Sequence, residues 1–266
     1  MLVLDRAQVE ALLDLPALID ALAAAMLDLS SGAASVPPRN AATVRDRGFL
    51  AAMPGYLPSA RVLMTKLVSL FPSNEGTSLP THQAVIVAFD PDTGQPAALM
   101  DGTAITAIRT GAGSALSARL LSRPEASTLA VLGTGVQARS HVRAMCLVRE
   151  ISQIRIAGRD PGRVQALASE TAEQTSAEVI AVPTYRQALQ GADIACATTH
   201  AVTPVVRRDW LDAGVHVTSV GFNSSGREVD DATIAAALVY VESRAAALAP
   251  HPAGSNDILH PVRDEV

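Results

Sequence analysis

The sequence predicts an α/β protein in two parts, an α+β segment followed by a parallel sheet flanked by helices. Three observations predict it. Residues 49 to 100 hold four strand-like apolar runs with no helical pattern between them. From residue 128 onward, strand-like and helix-like runs alternate, as a parallel sheet requires. A glycine turn at 133–138 joins the first of those strands to the first of those helices.

The first part, residues 1–124, opens with an amphipathic helical pattern over 5–29, broken near Pro16, with Asp14 placed to cap its second half. Val36-Pro37-Pro38-Arg39 is extended, because each proline disfavours helix in the residue before it. Strands are expected at Phe49–Met53, Val62–Leu70 and Ala84–Asp90, with a turn at Pro91-Asp92-Thr93-Gly94 leading to a fourth at Pro96–Met100. A helix rich in small residues follows from Thr103 to Leu121, and Pro124 marks the boundary.

In the second part, residues 125–250, strands are expected at Leu129–Leu132, Ile154–Ala157, Val179–Ala181, Ile194–Thr198, Val215–Val220 and Leu238–Val241. Helices are expected up to about Arg149, over Pro161–Gln174, Tyr185–Gln190 and Asp230–Ala237, with a helical turn at Arg208–Leu211. Ligands of such sheets bind at the carboxyl ends of the strands, which here are Gly133, Gly158-Arg159, Thr198-Thr199 and Gly221-Phe222-Asn223.

Composition narrows the partners. The 266 residues suffice for two modest domains. Hydrophobic residues make up 48% and aromatics 3%, so the core is built from Ala, Val, Leu and Ile. A formal net charge of -5 argues against nucleic acid as the partner. Cys146 and Cys196 lie in apolar segments without metal-ligand spacing, and the six histidines are scattered, so no metal is expected and a reducing, cytoplasmic setting is. No apolar stretch is long enough to span a bilayer and no signal-peptide pattern is visible, so no membrane partner is expected.

The turn at 133–138 reads Gly133-Thr134-Gly135-Val136-Gln137-Ala138, the G-x-G-x-x-A form of the dinucleotide fingerprint. Gly133 allows the tight turn, Gly135 lets backbone approach a pyrophosphate, and Ala138 lets helix pack closely on strand. The N–H groups at the helix start then face the phosphates. The second part is therefore expected to be a Rossmann-like dinucleotide-binding domain. NAD-preferring folds end their second strand in an acid; here that place holds Gly158, followed by Arg159, Asp160 and Arg163. Two guanidinium groups suit a 2′-phosphate, so NADP(H) is expected in preference to NAD(H). Asp160 either caps the next helix or serves the ribose.

Several segments together resemble the ornithine cyclodeaminase and mu-crystallin family: Pro38-Arg39, Met53-Pro54, Lys66-Leu67-Val68, Phe71-Pro72-Ser73-Asn74, Leu79-Pro80-Thr81-His82, Ile105-Thr106-Ala107-Ile108-Arg109-Thr110, the glycine turn, and Gly221-Phe222-Asn223 with Arg227-Glu228-Val229-Asp230. Order and approximate spacing hold across almost the whole chain. The resemblance implies a substrate-binding and dimerisation domain first, a dinucleotide domain second, and a homodimer. It implies hydride transfer between NAD(P)H and the α-carbon of a cyclic imino acid or an amino acid. Arg39 and Arg109 are then the carboxylate clamp, and Lys66 polarises or protonates the imine. The resemblance counts Thr81, Arg109, Thr110, Gly133, Gly135, Val136, Gln137, Thr198, Thr199, Val220 and Arg227 among cofactor-binding positions. His82 lies in a loop that lines the substrate pocket or serves structure.

Two departures shape the expectation. Cyclodeaminases and some amino-acid dehydrogenases of the family carry Asp where this chain has Asn223, and Asn cannot exchange a proton near neutral pH. A ketimine reductase is therefore expected ahead of an ornithine cyclodeaminase or an alanine-dehydrogenase-like enzyme, with a non-catalytic NADPH-binding protein as the contrasting class. Family members also continue further and return to their first domain, so residues 251–266 are expected to turn back toward residues 1–124.

Overall fold

The computed structural model describes residues 1–74, 76–221, 226–249 and 254–263. The chain separates into two compact units, Met1–Arg109 and Thr110–Val266.

The first unit is a six-stranded sheet with two helices at its start. β1 (Leu2–Leu4) leads to α1 (Arg6–Leu12) and α2 (Leu15–Ser30). The helical pattern breaks for a local reason: Asp5 and Gln8 form a capping box on α1, and Asp14 accepts the Ala17 N–H to start α2 afresh, with Pro16 in its first turn. Next come β2 (Asn40–Val44), β3 (Gly48–Leu57), β4 (Val62–Leu70), β5 (His82–Phe89) and β6 (Pro96–Asp101). The order across the sheet is β1-β6-β5-β4-β3-β2, antiparallel except for β1 beside β6. β1 and β2 were not expected from the sequence, and β3 runs four residues beyond the expected Met53. Pro54 lies past the β2 pairing, where a strand tolerates a residue without an N–H.

The register sorts side chains onto two faces. Phe49–Leu70–His82, Ala51–Val68–Ala84 and Met53–Lys66–Ile86 are cross-strand rows of one face. Leu50–Ser69–Gln83, Ala52–Leu67–Val85 and Pro54–Thr65–Val87 are rows of the other. Ala51, Val68, Ala84 and Ile86 on the first face are buried, whereas Leu50 and Val85 on the second are 48% and 41% exposed.

α3 (Gly102–Leu121) begins where Asp101 accepts the Ala104 N–H at 2.6 Å. The division between units falls inside this helix, not after it at 124 as expected. The reason is packing: Ala112, Ala115 and Ala118 are fully buried, and Ser114 donates to the Nε2 of His141 at 2.9 Å. His141 is itself fully buried, with Nδ1 2.7 Å from the Gln137 carbonyl. A carbonyl only accepts, so Nδ1 carries the hydrogen and Nε2 accepts from Ser114. Burial holds the ring neutral, its pKa lowered to about 4. His141 is a structural residue, as the sequence suggested.

The second unit is a five-stranded parallel sheet: β7 (Thr128–Leu132), β8 (Gln153–Ala157), β9 (Glu178–Ala181), β10 (Ile194–Ala197) and β11 (His216–Ser219), in the order β11-β10-β7-β8-β9. Helices α4 (Val136–Val148), α5 (Pro161–Ala172), α6 (Tyr185–Leu189) and α7 (Asp231–Ala236) alternate with the strands, and α8 (Arg244–Ala247) and α9 (Asn256–Arg263) follow. The order steps outward from β7 in both directions, so the carboxyl end of β7 lies at the switch point where such sheets bind ligands.

One expected strand is absent: Leu238–Val241 does not pair with the sheet, which ends at β11. Leu238 is 87% and Tyr240 67% exposed. A β-branched and aromatic run makes a strand only where a neighbouring strand receives it. The tail was expected to turn back toward the first part; its described residues, 254–263, belong to the second unit. There Asp257 accepts the N–H groups of Glu228 and Val229 at 2.9 and 3.1 Å. Among the described residues, no helix is long and apolar enough to cross a membrane.

Candidate active site

In the first unit, three cations drawn from distant segments share one electrostatic environment. Arg39 precedes β2, Lys66 lies mid-way along β4, and Arg109 lies on α3. Burial lowers the Lys66 pKa to about 8, and the positive charges of Arg109 and then Arg39 push in the same direction. His82, on the same sheet face as Lys66, is lowered by burial first, then by Lys66 and Arg109. Arg39, Lys66 and Arg109 thus form a group of three cations on one unit, with His82 beside them, a grouping that suits a small carboxylate. Thr81 lies just before β5, its carbonyl accepting the Phe71 N–H at 2.8 Å.

In the second unit, the glycine turn has the geometry its sequence implies. Gly133 has φ +117°, and a Cβ there would lie 2.8 Å from the carbonyl oxygen and hydroxyl of Thr198. Gly135 is the N-cap of α4 and makes no side-chain cap, while a Cβ there would meet nothing within 4 Å. The first N–H groups of α4 have no intrahelical acceptor and receive no side-chain cap from Gly135. Val136 is 60% exposed at the helix start, and the side-chain oxygen of Gln137 is buried without a hydrogen-bond partner among the described residues. Thr110 lies on α3 at the start of this unit.

Past the end of β8, Arg159 and Arg163 are exposed, and neither makes an ion pair among the described residues. Asp160 caps α5, accepting the Arg163 N–H at 3.1 Å. Beside them lies an open, mainly apolar cavity of about 440 Å³ lined by Gly158, Pro183, Thr184, Tyr185, Arg186 and Trp210. Its lining residues other than Gly158 were not singled out from the sequence. Tyr185 opens a helix capped by Thr184, and the repeated strand-to-helix alternation was the signal that could have found it.

The remaining positions lie at the carboxyl ends of β10 and β11. The Thr198 hydroxyl donates to the Leu132 carbonyl at 2.8 Å, and the Thr199 hydroxyl donates to Glu228 at 2.6 Å. The Val220 N–H donates to the Ala197 carbonyl. Arg227 is held in an ion pair with Asp231, two of its nitrogens donating to the carboxylate. Asn223 lies outside the described residues. The sequence alone assigns Glu228 no role, yet it is 2% exposed and its carboxylate takes part in four hydrogen bonds.

An open glycine turn at a helix start, an orphaned amide oxygen beside it and an apolar cavity past β8 together fit a dinucleotide.

A model of the ornithine cyclodeaminase/mu-crystallin family matches residues 1–252. Mouse ketimine reductase mu-crystallin is 36% identical over 236 residues, covering 87% of this chain and 74% of its own. The Thermococcus litoralis Delta(1)-pyrroline-2-carboxylate reductase, solved with NADH and L-proline, superposes with a TM-score of 0.93 at 36% identity, covering all of this chain and 81% of that one. An archaeal alanine dehydrogenase dimer with bound NAD superposes with a TM-score of 0.80 at 28% identity, over 86% of this chain and 70% of that one.

Proposed function

The chain belongs to the ornithine cyclodeaminase/mu-crystallin family, and from that premise we propose that it is an NAD(P)H-dependent reductase of cyclic imino acids. The observation that carries the reading is Lys66, held at a pKa of about 8 by burial and by Arg109 and Arg39. A group with that pKa is mostly protonated at neutral pH yet gives up its proton readily. Arg39 and Arg109 hold the substrate carboxylate, and Lys66 gives its proton to the imine nitrogen. Proton delivery leaves an iminium, whose α-carbon is the acceptor. NAD(P)H, when bound, supplies the hydride.

The second unit binds the cofactor. Gly133, Gly135, Val136 and Gln137 receive the pyrophosphate at the start of α4. Within it Thr198, Thr199, Val220 and Thr110 serve the nicotinamide end, with Arg227 held by Asp231, while Thr81 and Arg109 on the first unit are cofactor-binding positions by family resemblance alone. Pro183, Tyr185 and Trp210 give the adenine an apolar seat. Arg159 and Arg163 favour NADPH over NADH, because their guanidinium groups are available to a 2′-phosphate and the Asp160 carboxylate is occupied in capping α5. The protein assembles as a homodimer through the more exposed apolar face of the first sheet, in a cytoplasmic setting.

The test is a fluorescence titration with NADPH and NADH, followed by cofactor oxidation with pyrroline-2-carboxylate and, separately, proline formation from ornithine. Binding with imine-dependent oxidation is the expected result, NADPH binding the tighter. Proline from ornithine without imine reduction would overturn the reductase in favour of a cyclodeaminase. Tight binding without any turnover would leave a binding protein.

A further inference from the structure

The proposed reaction makes no use of Glu228, the most deeply buried carboxylate among the described residues. Its partners there are neutral donors at the carboxyl ends of two adjacent strands. Oε1 accepts the Thr199 N–H at 2.5 Å and the Thr199 hydroxyl at 2.6 Å, past the end of β10. Oε2 accepts the Gly221 N–H at 2.7 Å, past the end of β11, and lies 2.9 Å from the Ser219 hydroxyl. The fit is close: a Cβ on Gly221 would lie 2.4 Å from the Glu228 carboxyl carbon. The Ser219 hydroxyl also lies 2.6 Å from Asp257, so its single hydrogen is shared between two carboxylates.

We propose that Glu228 is a positioning residue for cofactor binding, one carboxylate whose two oxygens fix the peptides that terminate β10 and β11. The proposal rests on the reading above, in which those strand ends receive the nicotinamide end of the dinucleotide. The chemistry requires a carboxylate. Burial raises the Glu228 pKa, the hydrogen bonds from Thr199, Gly221 and Ser219 favour its charged form, and only a carboxylate offers an acceptor to each strand at once. Glutamine has the same shape but one oxygen, so its amide nitrogen would face either the Thr199 or the Gly221 N–H, donor against donor. Aspartate is one methylene too short to reach both.

The test is Glu228→Gln, comparing the dissociation constants of NADPH and NADH with the KM for pyrroline-2-carboxylate, alongside thermal unfolding. One buried donor left without its acceptor at the binding surface is expected to weaken cofactor binding about tenfold or more. The imino-acid KM is expected to stay within about twofold, since its clamp residues belong to the first unit. A variant that unfolds at lower temperature but binds cofactor as the parent does would overturn the proposal and leave Glu228 a stabilising residue only. Should Glu228→Gln fail to fold, Ser219→Ala removes one contact to Oε2 and keeps both backbone bonds. A rise of roughly two- to threefold in cofactor Kd with unchanged imino-acid KM is then expected, and an unchanged Kd overturns the proposal. A parent protein that binds neither cofactor would instead overturn the underlying reading before any variant is made, and this proposal with it.

Discussion

At the scale of single residues, the burial of Lys66 has a stability cost, and both that cost and the proposed role of Lys66 can be measured. Burial, then Arg109 and Arg39, hold its pKa at about 8, below the value it has in an unfolded chain. The unfolded state therefore binds more protons between about pH 8 and the ordinary lysine range, and stability rises with pH across that window. Below pH 8 the destabilising contribution is fully present. Lys66→Met should raise the Tm at pH 7 by roughly 2–4 °C while lowering kcat/KM for imine reduction about 100-fold or more. In the parent, kcat/KM should fall as pH rises through about 8, as the free enzyme loses its proton donor, and the methionine variant should lack that limb. An unchanged Tm with an unchanged pH profile would remove Lys66 from the proposed chemistry. The sequence made these cations legible only as a set. Arg39, Lys66 and Arg109 come from three separate segments, and each alone reads as a solvated surface charge; their grouping came from a family pattern and not from spacing. Glu228 was not legible because its burial depends on Thr199 and Gly221, which the fold brings to it from 29 and 7 residues away.

Among the elements, the turn from β7 to α4 was the most legible, because its chemistry is local. Its two glycines do different work and should fail differently. Gly133 has a positive φ and no room for a Cβ beside Thr198, so Gly133→Ala should strain the backbone, lower the Tm and weaken cofactor binding together. Gly135 has an ordinary φ of -90° and open space around its missing Cβ. Gly135→Ala should leave the Tm within about 1 °C, since an unstrained glycine-to-alanine change alters stability little. It should still weaken NADPH binding about tenfold or more, because the methyl group occupies the space the pyrophosphate needs. Equal binding by the parent and Gly135→Ala would place the dinucleotide elsewhere. Elements that depend on distant partners were the ones that escaped the sequence. β1 is three residues long and exists by pairing with Ala98–Met100, and all five residues of β2 are exposed, so neither carries a hydrophobic alternation. Leu238–Val241 has the composition of a strand and lacks a ladder partner, the same lesson in reverse.

At the scale of the whole molecule, the first sheet makes assembly testable. One of its faces buries Ala51, Val68, Ala84 and Ile86; the other presents the row Ala52–Leu67–Val85, with Leu50 and Val85 about half-exposed and Pro54 exposed. An antiparallel sheet ordinarily turns alternating polar residues to water on its outer face. Here the centre of that face, on β3, β4 and β5, carries Leu, Val, Ala and Pro with Ser69, Thr65 and Gln83, while the polar Asn40 and Asp101 lie on the flanking strands β2 and β6. An apolar sheet face of this kind is the composition expected of a subunit interface. A two-fold axis through it would bring the same row of each copy together, so one substitution is felt twice. Val85→Glu places a carboxylate in that row, between Leu67 and Asp101, where it meets its own copy across the axis. In a dimer both charges would be buried and unpaired, which costs far more than the valine contact contributed. Light scattering at micromolar concentration should therefore give twice the chain mass for the parent and the chain mass for Val85→Glu. NADPH should still bind the variant within about twofold, because the glycine turn and its cavity belong to the second unit. A monomeric parent, or a dimer that survives Val85→Glu, would exclude this face as the subunit interface. A monomeric variant that also lost NADPH would show that the second unit needs the assembled first one, and the two-unit description of cofactor binding would fall.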